Sequence, residues 1–365
     1  MSDRILFFTC AYNAEKTLRI ALDSIMGQTH GNWVYYVLDN GSTDSTGDII
    51  REYENRDGRI HGLSAEKNDI LNLFHTPFRK NGLLPDVDYG WLAILDSDDA
   101  YAPGFAEKSL SYAHENGLDL VVVSSDRISR GPKKDRIFAS PEDYEDFPSW
   151  YKIWLPAWAK LYCRSVTERM RKCRIGYFDG GVAMEAITQC SKMGFLAETL
   201  HRARPGVVDG DSTAVPSDQE VFDWIAALPQ ETLQVGRTFF KEKCGRITKR
   251  SEDILFYVAG LLIYQAIKRF DNSSSFDTLR HGKLAYIKSV WASDFMKEFV
   301  DRRDFGYEMQ DPEILQESRA NVLRAMALEL IGKSRFYESA NDTVLRFYAE
   351  LIQGSLAAGG EKPHE

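Results

Sequence analysis

Cysteine is scarce in this chain, and it has no apolar run long enough to cross a membrane. Five of its 365 residues are cysteine: Cys10, Cys163, Cys173, Cys190 and Cys244. The count is odd and no CxxC pair occurs, which argues against a disulfide framework or a zinc site and makes a reducing compartment the default. Cys10 lies in an apolar run and reads as a small core residue, not a nucleophile. The longest apolar run, 254–264, falls short of the roughly 20 residues that a bilayer requires. The N-terminus lacks the basic, apolar and small-residue succession of a secretory leader. A cytoplasmic protein is expected, with peripheral contact at the inner face of a membrane left open. Positive charge is in deficit, 45 Lys and Arg against 54 Asp and Glu, for a net charge of -9. That speaks against nucleic acid as the main partner. Neither an internal repeat nor a long low-complexity segment is evident.

What remains is an ordinary globular composition, 44% hydrophobic and 27% charged, sized for one large domain or two. Apolar runs at 5–10 and 33–38 predict buried strands, and 60–63 a short third strand. Between them, 15–26 and 46–54 have helical spacing. In the first, Leu18, Ala21, Leu22 and Ile25 fall on one face, and Gly27 is a stop. Asp39-Asn40-Gly41-Ser42 is a turn, with Ser42 or Thr43 able to cap the next helix and Asp44 near its positive end. Further on, 103–116 reads as a helix ended by Gly117, and 118–124 as another buried strand. Residues 67–74 suggest a helix, 75–88 a loop bordering a cleft, and 130–146 a mobile loop or lid. A helix is expected from Ala183, with Glu185 in its first turn. Strand and helix alternation predicts a mainly parallel sheet with right-handed crossovers.

The stretch 91–99, WLAILDSDD, carries the chemistry. Its apolar first half suits a strand buried on both faces. It ends in Asp96, Asp98 and Asp99. One acid at a strand end is easily solvated, but three within four residues repel one another. A divalent cation relieves that repulsion. Oxygen ligands with no neighbouring Cys or His point to Mg2+ or Mn2+ rather than Zn2+. Such ions bridge carboxylates to a substrate's phosphates. Ligands of parallel sheets bind beyond the carboxyl ends of the strands. Residues 9–12, 39–43 and 96–99 all lie at such ends. Asp39 also has a plain reading as a turn former.

Residues 148–164 are rich in aromatics, Trp150, Tyr151, Trp154, Trp158 and Tyr162. Packing under a core and a platform for a sugar ring both remain open. Lys160 or Arg164 could pair with a phosphate, although a plain surface charge is the simpler reading of Arg164. After about residue 205 the chain turns helical. Periodicity predicts helices over 218–228, 252–270, 276–302, 312–331 and 335–354, most simply core stripes. This sets the expected boundary between a domain 1–205 and a helical region 206–365, which could hold an acceptor, form a homo-oligomer or touch a membrane. Residues 359–365 read as a frayed tail.

Taken together, Ala11-Tyr12-Asn13 after the first strand, Ser24-Ile25 and Gln28-Thr29 at the end of the first helix, Asp39-Asn40-Gly41-Ser42-Thr43-Asp44, and Asp96-Ser97-Asp98-Asp99 resemble the family 2 glycosyltransferases. The likeness covers roughly the first 125 residues, in order and at the family's spacing. It implies the GT-A fold, a Rossmann-like mixed and mainly parallel sheet flanked by helices. It also implies inverting transfer of a sugar from a nucleotide-diphosphate donor with a divalent metal, as in polysaccharide biosynthesis on glycan or lipid-linked acceptors. Thr9, Ala11 and Tyr12 would line the nucleoside pocket and Asp39 would accept a hydrogen bond from the base. Asn40, Lys67, Asp96, Ser97 and Asp98 would face the rest of the donor. Asp98 and Asp99 would hold Mn2+ or Mg2+. The general base is carried to Glu185, with Asp179 second. The chain departs from the family where Asn40 replaces a commoner Asp, where Met184-Glu185 offers one acid instead of two, and over 61–88, which matches only around Lys67-Asn68.

This chemistry is coherent. Negative charge grows on the departing diphosphate, where a metal acts as Lewis acid, and an acceptor hydroxyl needs a carboxylate to take its proton. Two other classes stay open. A metal-dependent nucleotidyltransferase would carry a Gly-rich, basic phosphate loop after the first strand, where this chain has Ala11-Tyr12-Asn13-Ala14-Glu15. A non-catalytic donor-binding or scaffold protein on a degenerate GT-A fold would keep the nucleotide site without a base.

Overall fold

The computed structural model describes residues 2–68, 77, 84–126, 133–144, 156–170, 179–203, 219–248, 251–252, 255–256, 259 and 289–301. The chain divides into two compact units, Met1–Ala214 and Val215–Glu365.

In the first unit, three apolar runs become the strands β1 (Ile5–Ala11), β2 (Trp33–Asp39) and β4 (Trp91–Ile94), and the more polar 60–64 becomes β3 (Ile60–Ser64). All four are parallel, with Phe8 opposite both Tyr36 and Ile94. The helices α1 (Leu18–Met26) and α2 (Thr46–Arg56) are the crossovers. Leu18, Ala21, Leu22 and Ile25 form the buried face of α1, as the spacing requires. Ile5 to Phe8 and Leu92 to Leu95 are all but fully buried. Each Ile, Leu or Phe side chain among them contributes about 1.5–3 kcal/mol of apolar burial. After β4 come β5 (Ala100–Tyr101), α3 (Phe105–Asn116) and β6 (Leu120–Ser125). Gly117 stops α3 in the left-handed conformation, φ 59°, which glycine adopts without penalty.

Three more strands complete the sheet: β7 (Arg136–Phe138), β8 (Lys160–Cys163) and β9 (Met193–Arg202). The order is β3-β2-β1-β4-β8-β6-β9-β5, with β7 on β9. β8 is antiparallel to both β4 and β6, and β9 is parallel to β6. The sheet is therefore mixed and mainly parallel, the GT-A type of α/β architecture. The carboxyl ends of β1, β2, β4, β6 and β9 share one rim. The helices α4 (Arg164–Met170) and α5 (Asp179–Gln189) lie between β8 and β9.

Several expectations need correction. The lid read over 130–146 contains β7, a strand of the sheet itself. The helix expected from Ala183 begins at Asp179 and ends at Gln189, after which 193–202 is strand. The hydrophobic pattern of that strand is broken by exposed Glu198 and Thr199, where its register shifts against β6. The helix read as 67–74 and most of the loop 75–88 lie outside the described residues.

In the second unit, α6 runs from Gln219 to Cys244, not 218–228. It continues through Pro229 because the buried face beyond, Leu233, Phe239 and Phe240, carries it on. The last helix described is α7 (Asp294–Asp301). Phe295 stacks on Phe256, with centroids 5.6 Å apart. Arg237 pairs with Glu252 and with Glu298. The helices read over 312–331 and 335–354, and most of 252–270 and 276–302, lie outside the described residues. Among those residues no helix is long and apolar enough to cross a membrane.

Candidate active site

Two loops at the carboxyl rim are stitched together. Asn13, at φ 47°, accepts the Thr43 N–H at 2.9 Å on its Oδ1 and donates its own N–H to Ser42 Oγ at 3.0 Å. Ala14 N–H donates to Thr46 Oγ1 at 2.8 Å, and Glu15 N–H to Asp44 Oδ2 at 3.1 Å. Asp44 also accepts the Thr46 N–H at the head of α2, 3.0 Å away. Burial acts to raise the Asp44 pKa, but the hydrogen bonds from Thr46 and Glu15 outweigh it and hold the carboxyl below its ordinary value. Most of the polar residues of these two motifs thus bind each other and fix the shape of the rim.

The donor side of the rim is built on this frame. Asp39 accepts the Ser42 N–H at 2.9 Å, so one of its oxygens closes the turn. The plain reading of Asp39 as turn former is right for that oxygen. The other faces Gly47, where a Cβ would sit 2.8 Å from it. Asn40 donates its N–H to Ala11 O at 2.8 Å and its side-chain amide to Asn68 Oδ1 at 2.9 Å. Gly41 takes φ 77°, and its Cα passes so close to the backbone of Lys67 and Asn68 that a Cβ would lie 2.6 Å from the nearest carbon. The segment carrying exposed Lys67 is thereby held beside the Asp39–Asn40 turn. Tyr12 is half-buried at the same rim.

Thr9 is corrected. It is wholly buried, and its hydroxyl meets Tyr35 OH at 2.8 Å and Leu95 O at 2.7 Å. Its hydroxyl is spent on the sheet's own packing.

Leu95 N–H donates to Phe8 O, so the chain leaves β4 one strand away from β1 and two from β2. By the spacing of neighbouring strands, Asp39 and the acidic stretch are roughly 10 Å apart. The structure brings Asp96, Asp98 and Asp99 together, with ligand oxygens all within 4.8 Å of one another. Asp96, Ser97 and Asp98 are half-buried, whereas Asp99 is only 2% exposed. Asp99 N–H bonds Asp96 O, which folds the stretch back on itself. Below it, Tyr101 OH donates to Ile94 O at 2.7 Å and accepts the Ala159 N–H at 3.1 Å. Burial first, and the charges of Asp96 and Asp99 among the further causes, push the Tyr101 phenol far above its ordinary pKa. It stays a donor at every working pH.

The cluster suits a hard divalent cation. All its donors are carboxylate oxygens, and opposed ligands of an octahedral Mg2+ stand about 4.2 Å apart, so the 4.8 Å span needs only a small inward movement.

Two contacts were not legible in sequence. His201, on β9, places Nε2 3.3 Å from Asp99 Oδ2. Its Nδ1 meets Ser125 Oγ at 3.0 Å. A single histidine between Leu200 and Arg202 gives no pattern to find.

The other expected residues fall as follows. Glu185 lies in the second turn of α5, not the first, because the helix starts at Asp179. It is 8% exposed and accepts from Gln189 at 3.0 Å. Asp179 opens the helix. Lys160 is buried and donates to the carbonyls of Pro156 and Trp158. Arg164 pairs with Asp88 and Glu168, as a structural surface charge. Trp158 stacks on His201, and Tyr162 OH donates to Ala157 O. For these two the packing reading holds. Trp150, Tyr151 and Trp154 lie outside the described residues.

A mixed, mainly parallel sheet with a carboxylate triad and a capped turn at its carboxyl rim is the arrangement of a GT-A domain. Residues 7–175 match the family model "Glycosyl transferase family 2". Among curated relatives, it is 31% identical over 129 residues to the glycosyltransferase GlyA of Streptococcus pneumoniae serotype 4 (strain ATCC BAA-334 / TIGR4), covering 33% of this chain and 17% of GlyA. It is 29% identical over 111 residues to the UDP-Glc:alpha-D-GlcNAc-diphosphoundecaprenol beta-1,3-glucosyltransferase WfgD of Escherichia coli, covering 30% of this chain and 41% of WfgD. The chain spans about half, or less, of the length of the curated relatives it matches. Among solved structures, S. aureus TarS 1-349 in complex with UDP-GlcNAc has a TM-score of 0.49 at 12% identity, covering 97% of this chain and 92% of that one.

Proposed function

We propose that this protein is an inverting, divalent-metal-dependent glycosyltransferase, which moves a sugar from a nucleoside-diphosphate donor to an acceptor hydroxyl. The observation that carries this reading is the gathering of Asp96, Asp98 and Asp99 at the carboxyl end of β4, two strands from the Asp39 turn. That distance lets one end of a donor rest at Asp39 and the other at the triad. The N-terminal unit is the catalytic one in this reading.

Asp39 and Asn40, set by the stitched rim, receive the nucleoside with Ala11 and Tyr12. Lys67, held beside them, faces the phosphates. Asp98 and Asp99, with Asp96 beside them, are the residues that would hold Mn2+ or Mg2+. Once bound, the cation supplies Lewis-acid stabilisation of the negative charge on the departing diphosphate. A carboxylate of α5 takes the acceptor's proton as its oxygen attacks the anomeric carbon from the side opposite the diphosphate, which inverts that carbon. A helix that leads into a parallel strand runs against it, so the start of α5 is turned toward the carboxyl rim. Glu185 stands six residues, or about 9 Å, further down the axis. The topology therefore favours Asp179 over Glu185 as base. The acceptor class is a glycan or lipid-linked sugar, as the name of WfgD states for that enzyme. Peripheral membrane contact and pairing through the helical unit fit such an acceptor.

The test is release of nucleoside diphosphate from a panel of nucleotide sugars with Mn2+, for the full chain and for Asp98→Ala. Release that needs Mn2+ and disappears in a folded Asp98→Ala variant is expected. Donor binding without release favours the scaffold reading, and pyrophosphate release from a nucleoside triphosphate favours the nucleotidyltransferase. Unchanged release by Asp98→Ala overturns the metal assignment.

A further inference from the structure

We propose that His201 is a positioning residue for the cation: through its Nε2–H it fixes Asp99 as the rigid member of the acidic cluster. This rests on the cation reading given above, and it concerns why one of three neighbouring carboxylates is built differently from the others.

Asp96 and Asp98 are half-buried, as ordinary rim acids are. Asp99 is 2% exposed and His201 is not exposed at all. A carboxylate withdrawn from water needs compensation nearby, and His201 Nε2 stands 3.3 Å from its Oδ2. Ionised carboxylates only accept hydrogen bonds. The contact has ion-pair distance but not hydrogen-bond geometry, and we assign the hydrogen to the ring nitrogen that faces Asp99. In a neutral imidazole the other nitrogen is then an acceptor, which assigns the donor role to Ser125 Oγ, 3.0 Å from Nδ1. Ser125 is itself buried, so the tautomer is set from behind.

The ring plane is fixed as well. Trp158 lies parallel to the imidazole, with centroids 4.4 Å apart and an angle of 11°. Tyr101 meets it edge-on at 5.6 Å. The backbone is arranged for the same purpose. β9 breaks register with β6 twice, between Val123 and Ser124 and between Ser124 and Ser125. These irregularities put His201 directly opposite Ser125 on one side and Tyr101 of β5 on the other. Bulges commonly re-aim a side chain next to a functional site. Ala159, beside Trp158, sits at φ 56°, an uncommon conformation for alanine that the surrounding bonds hold in place.

The chain Ser125–His201–Asp99 thus resembles the outer shell that orients a ligating carboxylate. Loss of such a partner typically costs about 10–100-fold in metal affinity.

The experiment measures Mn2+ affinity of the full chain by electron paramagnetic resonance of the free ion, with nucleoside diphosphate present, alongside thermal melts. The variants are Asp98→Ala, His201→Phe, His201→Gln and Ser125→Ala. His201→Phe keeps a flat ring on Trp158 and removes the N–H. It is expected to weaken Mn2+ binding about 10–100-fold while melting cooperatively. His201→Gln, which restores an N–H donor, is expected to recover most of the affinity, and Ser125→Ala to show a smaller loss than His201→Phe. Wild-type affinity in a folded His201→Phe overturns the proposal. So does equal impairment of the Phe and Gln variants, because the ring's packing and not its N–H would then matter. Should His201→Phe fail to fold, Ser125→Ala decides: unchanged Mn2+ affinity there overturns the proposal. Equal Mn2+ binding by wild type and Asp98→Ala overturns the cation reading itself, and this inference with it.

Discussion

Gly41→Ala is the sharpest probe of how the donor rim is held. Gly41 has φ 77°, the left-handed region, which costs an L-residue about 1–2 kcal/mol. The new Cβ would stand 2.6 Å from the Lys67 carbonyl carbon and 2.7 Å from Asn68 N, against an ordinary contact of at least 3.4 Å. Both neighbours are backbone atoms, so neither can rotate aside. Segment 65–68 must retreat by about 0.8 Å, and overpacking of this kind costs about 1–3 kcal/mol. The lower entropy of the unfolded alanine chain returns about 0.4–1 kcal/mol. The net is a destabilisation of about 2–4 kcal/mol, which for a unit of this size lowers the melting temperature by roughly 5–15 °C. The retreat also breaks the bond from Asn40 Nδ2 to Asn68 Oδ1, so donor affinity falls with stability. Thermal melts and donor titration on the full chain check both. Gly58→Ala is the control: no heavy atom lies within 4 Å of its Cβ position, and it should melt like wild type. A Gly41→Ala protein that melts within a degree or two of wild type refutes the reasoning.

Three further outcomes are expected. Thr9→Val should cost about 1–3 kcal/mol, because the buried Tyr35 hydroxyl loses a partner, and should leave donor affinity unchanged; weaker donor binding at wild-type stability would return Thr9 to the pocket. The folded-state pKa of Asp44 is depressed, so its stabilisation is fully present above the ordinary carboxylate value and is lost as pH falls through the depressed one. Melts of wild type and Asp44→Asn should therefore differ most near neutrality and converge below about pH 4, and a gap that is constant down to pH 3 would refute the assignment. Asp179→Asn should lower transfer about 10²–10⁴-fold with donor binding preserved and Glu185→Gln far less. The reverse ranking makes Glu185 the base.

Much of the first unit could be read in order along the chain. Strands β1, β2 and β4 are short apolar runs, the pattern of a strand buried on both faces. The turn at 39–42 and the acids at 96–99 declare themselves because charge and glycine interrupt those runs. The strands β8 and β9 did not declare themselves. β8 has only four residues, 160–163, and lies between β4 and β6, which are its neighbours only in space. In β9, two register shifts against β6 make its side chains alternate irregularly.

Local sequence decided which residues are strand, turn and acid, because period and composition act over a few neighbours. It could not decide what the motif residues touch. Asn13, Ser42, Asp44 and Thr46 turned out to hold each other, and Thr9 to hold the sheet. Nor could it find His201 beside Asp99, because that pairing joins residues about a hundred positions apart through two register shifts and the close packing of Trp158. A carboxylate's burial and its hydrogen-bond partners are properties of the packed fold, and only the tertiary structure distinguishes the anchored acid from the two at the rim.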